Sequence, residues 1–226
     1  YAVITYGRIV ALTRQAIIND DLRGFERLVS AFGFAARRLE NRTVYSQLTA
    51  NANLSDGGAL FNSTAITTTG GHANLTTGGG SALALAALAT SRAMMRKMLG
   101  PNGEDLNIAP RYLIVPAALE QTAYQLTSAN YVPATSATIN EFRAGGRTAL
   151  EPVVEAVLDG TSATAWYLAS DSSMVDTVEY CYLDGAEGPV IESDVGFEVD
   201  GVSYKCRLDF GAKVIDFRGL HRADGA

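Results

Sequence analysis

Two histidines and two cysteines are the only side chains in these 226 residues with the usual reach for nucleophilic or transition-metal chemistry, and none has a near neighbour of its own kind. A Ser-His-Asp arrangement needs a base within hydrogen-bond reach of the nucleophile and a third group that orients it. His72 lies in a glycine-rich stretch where order is least expected, so it reads as a solvated loop residue. His221, between Leu220 and Arg222, reads as a surface or interface residue. Cys181 and Cys206 sit at strand positions that a small apolar residue could fill, and read as reduced, buried thiols. Zinc wants three or four Cys, His or carboxylate ligands with local spacing, and no such set occurs. The carboxylates of Glu151–Glu155 and Asp171–Asp176 have no calcium-loop spacing and read as solvated turns. Gly78-Gly79-Gly80-Ser81 could offer backbone N–H groups to a phosphate, but the P-loop lysine and any dinucleotide fingerprint are missing. Four Asn-x-Ser/Thr sequons, at Asn41, Asn53, Asn62 and Asn74, read as chance in a Thr- and Asn-rich region. The sequence thus predicts no catalytic residue, no cofactor and no metal.

Charge points to protein partners. The chain carries a formal charge of −6, a pI near 4.9, and 15 Arg against 3 Lys. Nucleic-acid binding by counterion release wants a cationic stripe, and none stands out. An arginine excess suits contacts between subunits, because the planar guanidinium pairs carboxylates in a bidentate fashion. Composition is that of a folded chain, with 47% hydrophobic and 19% charged residues. No apolar run approaches the roughly 18 residues of a membrane span. The chain starts at Tyr1 in mid-strand, from which a preceding segment is expected.

The elements that would position any site alternate between the two basic periods. From Val202 through Tyr204, Cys206, Leu208 and Phe210 every second residue is apolar, with Ser203, Lys205, Arg207 and Asp209 between them, a strand pattern that runs to Phe217. Asp200-Gly201 predicts a hairpin turn joining it to Phe197–Val199. Tyr1 to Ile18 reads as extended, and Asn19-Asp20-Asp21 as the cap of a helix whose stripe includes Phe25, Leu28, Val29, Phe32, Ala36 and Leu39. After Leu39 the stripe changes phase, so the helix either continues to about Ala50 or breaks near Asn41-Arg42-Thr43. Residues 51–81 read as a loop or loose hairpin, open to disorder. Ser81 then caps a helix through Leu99, Tyr112–Val115 is a buried strand, and Pro116 opens a helix to about Leu126. Strands are expected at 153–158, 165–169 and 178–183. The order gives an α+β fold.

Three segments carry a resemblance: Tyr6-Gly-Arg-Ile-Val-Ala-Leu-Thr-Arg-Gln-Ala-Ile-Ile-Asn-Asp-Asp-Leu-Arg23 with Phe25-Glu-Arg27, Ala109-Pro-Arg-Tyr-Leu-Ile-Val-Pro116, and Gly196-Phe-Glu-Val-Asp-Gly201 onward to Arg218-Gly219. In their order and extent the chain resembles the major capsid proteins of tailed bacteriophages, the Hong Kong 97-type fold, and within it the Mu-like branch often fused to a prohead protease. The resemblance implies a long spine helix, peripheral domain, axial domain and extended loop. Residues 1–20 would be the return strand of the extended loop, 21–80 the peripheral domain with the spine helix, 81–189 the axial domain, and 190–226 strands returning to the peripheral domain. The arm and the first extended-loop strand of the family would precede Tyr1. Lys97, Lys205 and Lys213 all lie outside the segment where some relatives cross-link, so no covalent chainmail is expected.

The implied function is a non-enzymatic structural protein of the virion capsid. It would self-assemble in the bacterial host cytoplasm into pentamers and hexamers of an icosahedral head that encloses double-stranded DNA without reading its sequence. The partners would be itself, a portal, and a scaffold or protease, with no membrane. Arg8, Arg14, Arg23, Arg27, Arg37, Arg38 and Arg218 are the candidate inter-subunit contacts. An encapsulin-like nanocompartment shell is the alternative, and a hydrolase using His72 or His221 the least favoured reading.

Overall fold

The alternation from Val202 onward becomes the longest strand of the chain. In the structure, a computed structural model that describes residues 1–19, 27–130, 140–196 and 200–226, strand β8 runs Gly201–Val214. Fourteen residues at about 3.3 Å each extend roughly 46 Å. It ends before Phe217, which is buried beyond the strand. Strand β1 (Ile4–Thr13) pairs with it antiparallel from Ile4↔Phe210 to Thr13↔Gly201. Strands β6 (Val178–Tyr182) and β7 (Val190–Gly196) also pair with β8. Gly196 pairs with Gly201, so Gly201 already belongs to the strand. The expected strand at Phe197–Val199 lies outside the described residues.

Register decides which residues share a face. Tyr6, Arg8, Val10 and Leu12 lie opposite Leu208, Cys206, Tyr204 and Val202, while Thr5 and Ile9 lie opposite Asp209 and Lys205. Leu208 and Phe210 pack with Ala36 and the partly buried Leu39, Val44 and Tyr182. Those helical residues come from α2, Leu28–Ala50. It is continuous: Leu39 and Val44 pack with the same cluster, and from Tyr45 and Leu48 on the helix packs with the other core without a break. Twenty-three residues at 1.5 Å give about 35 Å. Leu28–Val44 belongs to a first compact unit (Tyr1–Val44 with Glu179–Lys213), and Tyr45–Ala50 to a second (Tyr45–Val178 with Val214–Ala226).

The first unit corrects one boundary. Ile17 and Ile18 are not extended: Thr13 ends β1 and caps a short helix, α1 (Arg14–Ile18), its hydroxyl accepting from the Ala16 amide at 3.3 Å. The Asp20-Asp21 cap falls outside the described residues.

In the second unit, a five-stranded sheet has the order β2-β9-β5-β3-β4, built from β2 (Leu75–Thr76), β3 (Pro110–Val115), β4 (Glu151–Val154), β5 (Trp166–Ser170) and β9 (Leu220–Ala223). β3 and β4 are parallel, whereas β5 is antiparallel to both its neighbours. All five β5 residues are buried, as a central strand covered on both faces must be. Helices α3 (Leu85–Arg96) and α4 (Glu120–Thr127) supply Leu88, Met95 and Ala123 to the core. Three expectations shift here. The helix expected from Ser81 to Leu99 is the shorter α3, and Ala84 precedes it without a side-chain cap. Ser81 is instead buried, its hydroxyl donating to the Gly78 carbonyl at 2.7 Å. The strand expected at 153–158 stops at Val154, because Glu155 accepts from the Val157 amide at 3.1 Å and starts a 3-10 turn over Ala156–Gly160.

Candidate functional site

Neither histidine can serve as an exposed base, because both are buried. His72, expected in solvent, is fully buried. Its ring stacks on Phe217 with centroids 3.8 Å apart. Nδ1 lies 3.0 Å from the Leu60 carbonyl and Nε2 2.8 Å from Oδ2 of Asp56. A carbonyl only accepts, so Nδ1–H donates to it, and Nε2 shares a hydrogen bond with the Asp56 carboxyl. Both ring nitrogens are used inside the chain. His221, expected at the surface, is buried in β9 with Nε2 3.1 Å from the Thr76 hydroxyl. Burial pushes its pKa down to about 4, which keeps the ring neutral at pH 7.

What encloses His72 is a side-chain lattice in the stretch that reads as a loop or loose hairpin open to disorder. Asn62 donates from Nδ2 to the Ala59 and Gly70 carbonyls at 2.9 and 3.0 Å, and its Oδ1 accepts from the Thr64 and His72 amides at 3.1 and 3.0 Å. Asn51 exchanges two bonds with the Phe61 backbone, and Asn74 bonds the Asn62 amide and the Leu60 carbonyl. A Cβ on Gly71 would collide with the backbone of Ala65, so the close approach there requires glycine. The correction has a plain cause. Asparagine amides substitute for a strand ladder, and such bonds have no sequence period.

The lattice predicts acid sensitivity. The Asp56 carboxyl is held below the ordinary carboxylate range, first by the His72 hydrogen bond and further by the Gly58 amide, against partial desolvation. A depressed carboxylate stabilises the fold above its unfolded pKa of about 3.9 and loses that contribution as pH falls through the folded value. Its side chain is 37% exposed, so screening limits the effect to about 1 kcal/mol. Urea melts of parent and Asp56→Asn at pH 6 and pH 3 should show a gap between them that closes at the lower pH; an unchanged gap would refute the assignment.

The seven candidate arginines divide by position. Arg14 lies 3.4 Å from Asp200, both largely exposed, a pair worth little. Arg218 is committed within its own unit: it pairs with Asp216 at 2.9 Å, donates Nε–H to the Leu99 carbonyl at 3.0 Å and lies over Phe217. Arg23 lies outside the described residues. Arg8 on β1, Arg27 before α2, and Arg37 and Arg38 on α2 are exposed, with no carboxylate within 4 Å among the described residues.

Large apolar side chains accompany them in the first unit. Ile9 is 65% exposed, Phe34 68% and Val195 77%. Arg37 and Phe34 line a groove of about 790 Å³ with Glu40, Tyr182 and Glu187. Burial and, after it, Glu40 raise the Tyr182 hydroxyl pKa. A second groove of about 160 Å³ runs between Tyr6, Arg8 and the α2 residues Phe32, Ala36 and Leu39. Sequence reasoning singled out the arginines and not these exposed apolar residues, which look the same as core residues on a period count. Among the described residues no group of three or more His, Cys, Asp or Glu is arranged to hold a metal ion, and no helix is long and apolar enough to cross a membrane. Both cysteines are free thiols, Cys206 buried and Cys181 half-buried.

Comparison with known proteins gives these surfaces a context. No curated protein matches the sequence. Among solved structures, the Mycobacterium phage Patience structure superposes with a TM-score of 0.62 at 14% identity, covering 100% of this chain and 72% of that one. The capsid of Myoviridae phage XM1 gives 0.60 at 13% identity over 99% and 74%. The SrpI encapsulin complex of Synechococcus elongatus PCC 7942 gives 0.56 at 13% over 100% and 75%. At these identities the likeness establishes the fold, that of Hong Kong 97-type capsids, which phage and encapsulin shells share. The sequence model described as phage capsid protein matches residues 1–223. An end-to-end family match, a capsid fold and histidines spent on internal packing lead to one conclusion: the chain belongs to the phage capsid protein family, as a major capsid protein.

Proposed function

We propose that copies of this chain close into pentamers and hexamers of an icosahedral head around double-stranded DNA. The first unit acts as the peripheral domain with α2 as its spine helix, and the second as the axial domain. The observation that carries this reading is the first unit's exposed set of Ile9, Phe34 and Val195 beside Arg8, Arg27, Arg37 and Arg38. Isolated surface apolar residues are ordinary, but together with arginines that have no carboxylate within 4 Å among the described residues they fit interfaces whose carboxylates a neighbour supplies. Head-to-tail contacts close rings, and many modest contacts sum across a shell. The chain itself is structural and performs no chemistry. Assembly takes place in the host cytoplasm, with a portal and a scaffold or protease as transient partners.

Electron microscopy of the full-length protein tests this. Closed shells of uniform size are expected, and a protein that stays monomeric at high concentration would overturn the reading. Nuclease-treated particles from producing cells should retain double-stranded DNA. Particles filled with a protein cargo and free of DNA would establish the nanocompartment instead.

A further inference from the structure

The smaller groove of the first unit is a hollow between helix and sheet. Phe32, Ala35, Ala36 and Leu39 fall at i, i+3, i+4 and i+7 of α2, share one face and form the helical wall. Tyr6 and Arg8 of β1, with Cys206 and Leu208 of β8, form the other wall. In register, Arg8 lies opposite Cys206 and Tyr6 opposite Leu208. Residue size explains the hollow. Phe32 and Leu39 are bulky, but the helix residues between them on this face are alanines and the sheet adds the small Cys206, so the middle of the contact is left unfilled. Protein interiors are close-packed, with few voids larger than a water molecule, whereas this one measures about 160 Å³ and opens to solvent. Its chemistry is lopsided. Among the described residues that line it, Arg8 alone is charged. Burial pushes the Cys206 thiol up, so the sulfur stays protonated and neutral at pH 7. Arg8 is exposed, with no carboxylate within 4 Å among the described residues. An apolar recess with one cation on its lining suits an apolar body that ends in an anion.

We propose that the hollow between β1 and α2 binds a small free carboxylic acid in its anionic form, its aliphatic tail against Phe32, Leu39 and Leu208 and its carboxylate paired with Arg8. Volume sets the tail. An engineered apolar cavity of about 150 Å³ binds benzene, so about six carbons suit the 160 Å³ available here. The stems of Asp and Glu side chains are much shorter, so a carboxylate offered by a neighbouring copy would reach Arg8 and leave the hollow empty. Arg27, Arg37 and Arg38 do not line it, so only Arg8 changes its assigned partner. Every lining residue belongs to the first unit of a single chain, and the site therefore does not depend on shell formation.

The test is ligand-observed fluorine NMR of the full-length protein with hexanoate carrying a terminal trifluoromethyl group, and with the matching hexanol as its uncharged counterpart. The hexanoate line should broaden saturably, and the alcohol should bind about tenfold more weakly for want of the charge-assisted hydrogen bond to Arg8. Arg8→Gln should bring the acid down to the affinity of the alcohol and leave the alcohol unchanged. Ala35→Leu, at an exposed position of α2, lays a side chain over the hollow, and should keep the parent melting temperature while losing both ligands. Absence of saturable broadening in the parent overturns the proposal, and a hollow already filled by a neighbouring copy would give that result. Equal affinity for acid and alcohol overturns it too, as does binding that survives Ala35→Leu. Should Ala35→Leu unfold the chain, the response of acid against alcohol to Arg8→Gln decides alone. Failure of the parent to form any shell counts against the capsid reading and leaves this site standing.

Discussion

Trp166→Ala should cost the folded chain about 3–5 kcal/mol, out of a total stability of about 5–15 kcal/mol for a natural domain. The effect is large because three structures meet at this one side chain. Trp166 is fully buried in β5, the central strand of the five-stranded sheet. Its indole Nε1–H donates to the Ser81 carbonyl at 2.8 Å. Ser81 in turn holds the Gly78 carbonyl, and its hydroxyl accepts from the Ala226 amide at 2.9 Å. Removing the indole opens a cavity among Leu, Met and aromatic neighbours and releases the glycine turn and the C-terminal strand together. Trp166→Phe keeps most of the volume and loses only the donor, for about 1–2 kcal/mol. Far-UV circular dichroism during a urea melt is the measurement, since Trp166 is the chain's single tryptophan and its fluorescence disappears with it. A Trp166→Ala variant that melts with the parent would show that the sheet does not depend on this residue.

Asn62→Ala comes next, at about 2–4 kcal/mol. Four bonds disappear with its amide, each worth about 0.5–1.5 kcal/mol net. The carbonyls of Ala59 and Gly70 and the amides of Thr64 and His72 lose their partner together. The His72 ring is seated by the same backbone, so its pairing with Asp56 loosens too. Hydrogen exchange should localise the damage, with protection falling across residues 51–74 while β3 and β5 stay protected. Asn62→Asp keeps the acceptor and loses the donors, and should fall between. Unchanged exchange in Asn62→Ala would mean the loop is held by something other than its asparagines.

Both predictions fall in the second unit, and both rest on contacts that a period count does not reveal. The opposite is true of β8. Its apolar–polar alternation depends only on the two-residue repeat of an extended backbone, so its strand character and the sharing of a face by Cys206, Leu208 and Phe210 could be read without coordinates. The α2 stripe was legible for the same reason, and past its change of phase Tyr45 and Leu48 join the second unit's core. His72 was misread because glycine, threonine and asparagine density signals a loop but carries no information on whether that loop is pinned. Ile17 and Ile18 were misread as strand because β-branched residues favour extension locally, whereas the Thr13 hydroxyl turns the chain into α1. Ser81 looked like a helix cap, but its hydroxyl is occupied by the glycine turn and the C-terminus.

The sequence alone determined the α+β order of elements, the resemblance to phage capsids, the lack of a paired metal-binding or catalytic set, and the arginine-rich composition suited to subunit contacts. These follow from local periodicity, residue type and segment order. Tertiary structure decided which of the candidate arginines are exposed with no carboxylate within 4 Å among the described residues, and that both histidines are buried. These depend on meetings between residues far apart in sequence, such as Thr76 with His221 at 145 positions and Arg14 with Asp200 at 186, and no local pattern records such a meeting.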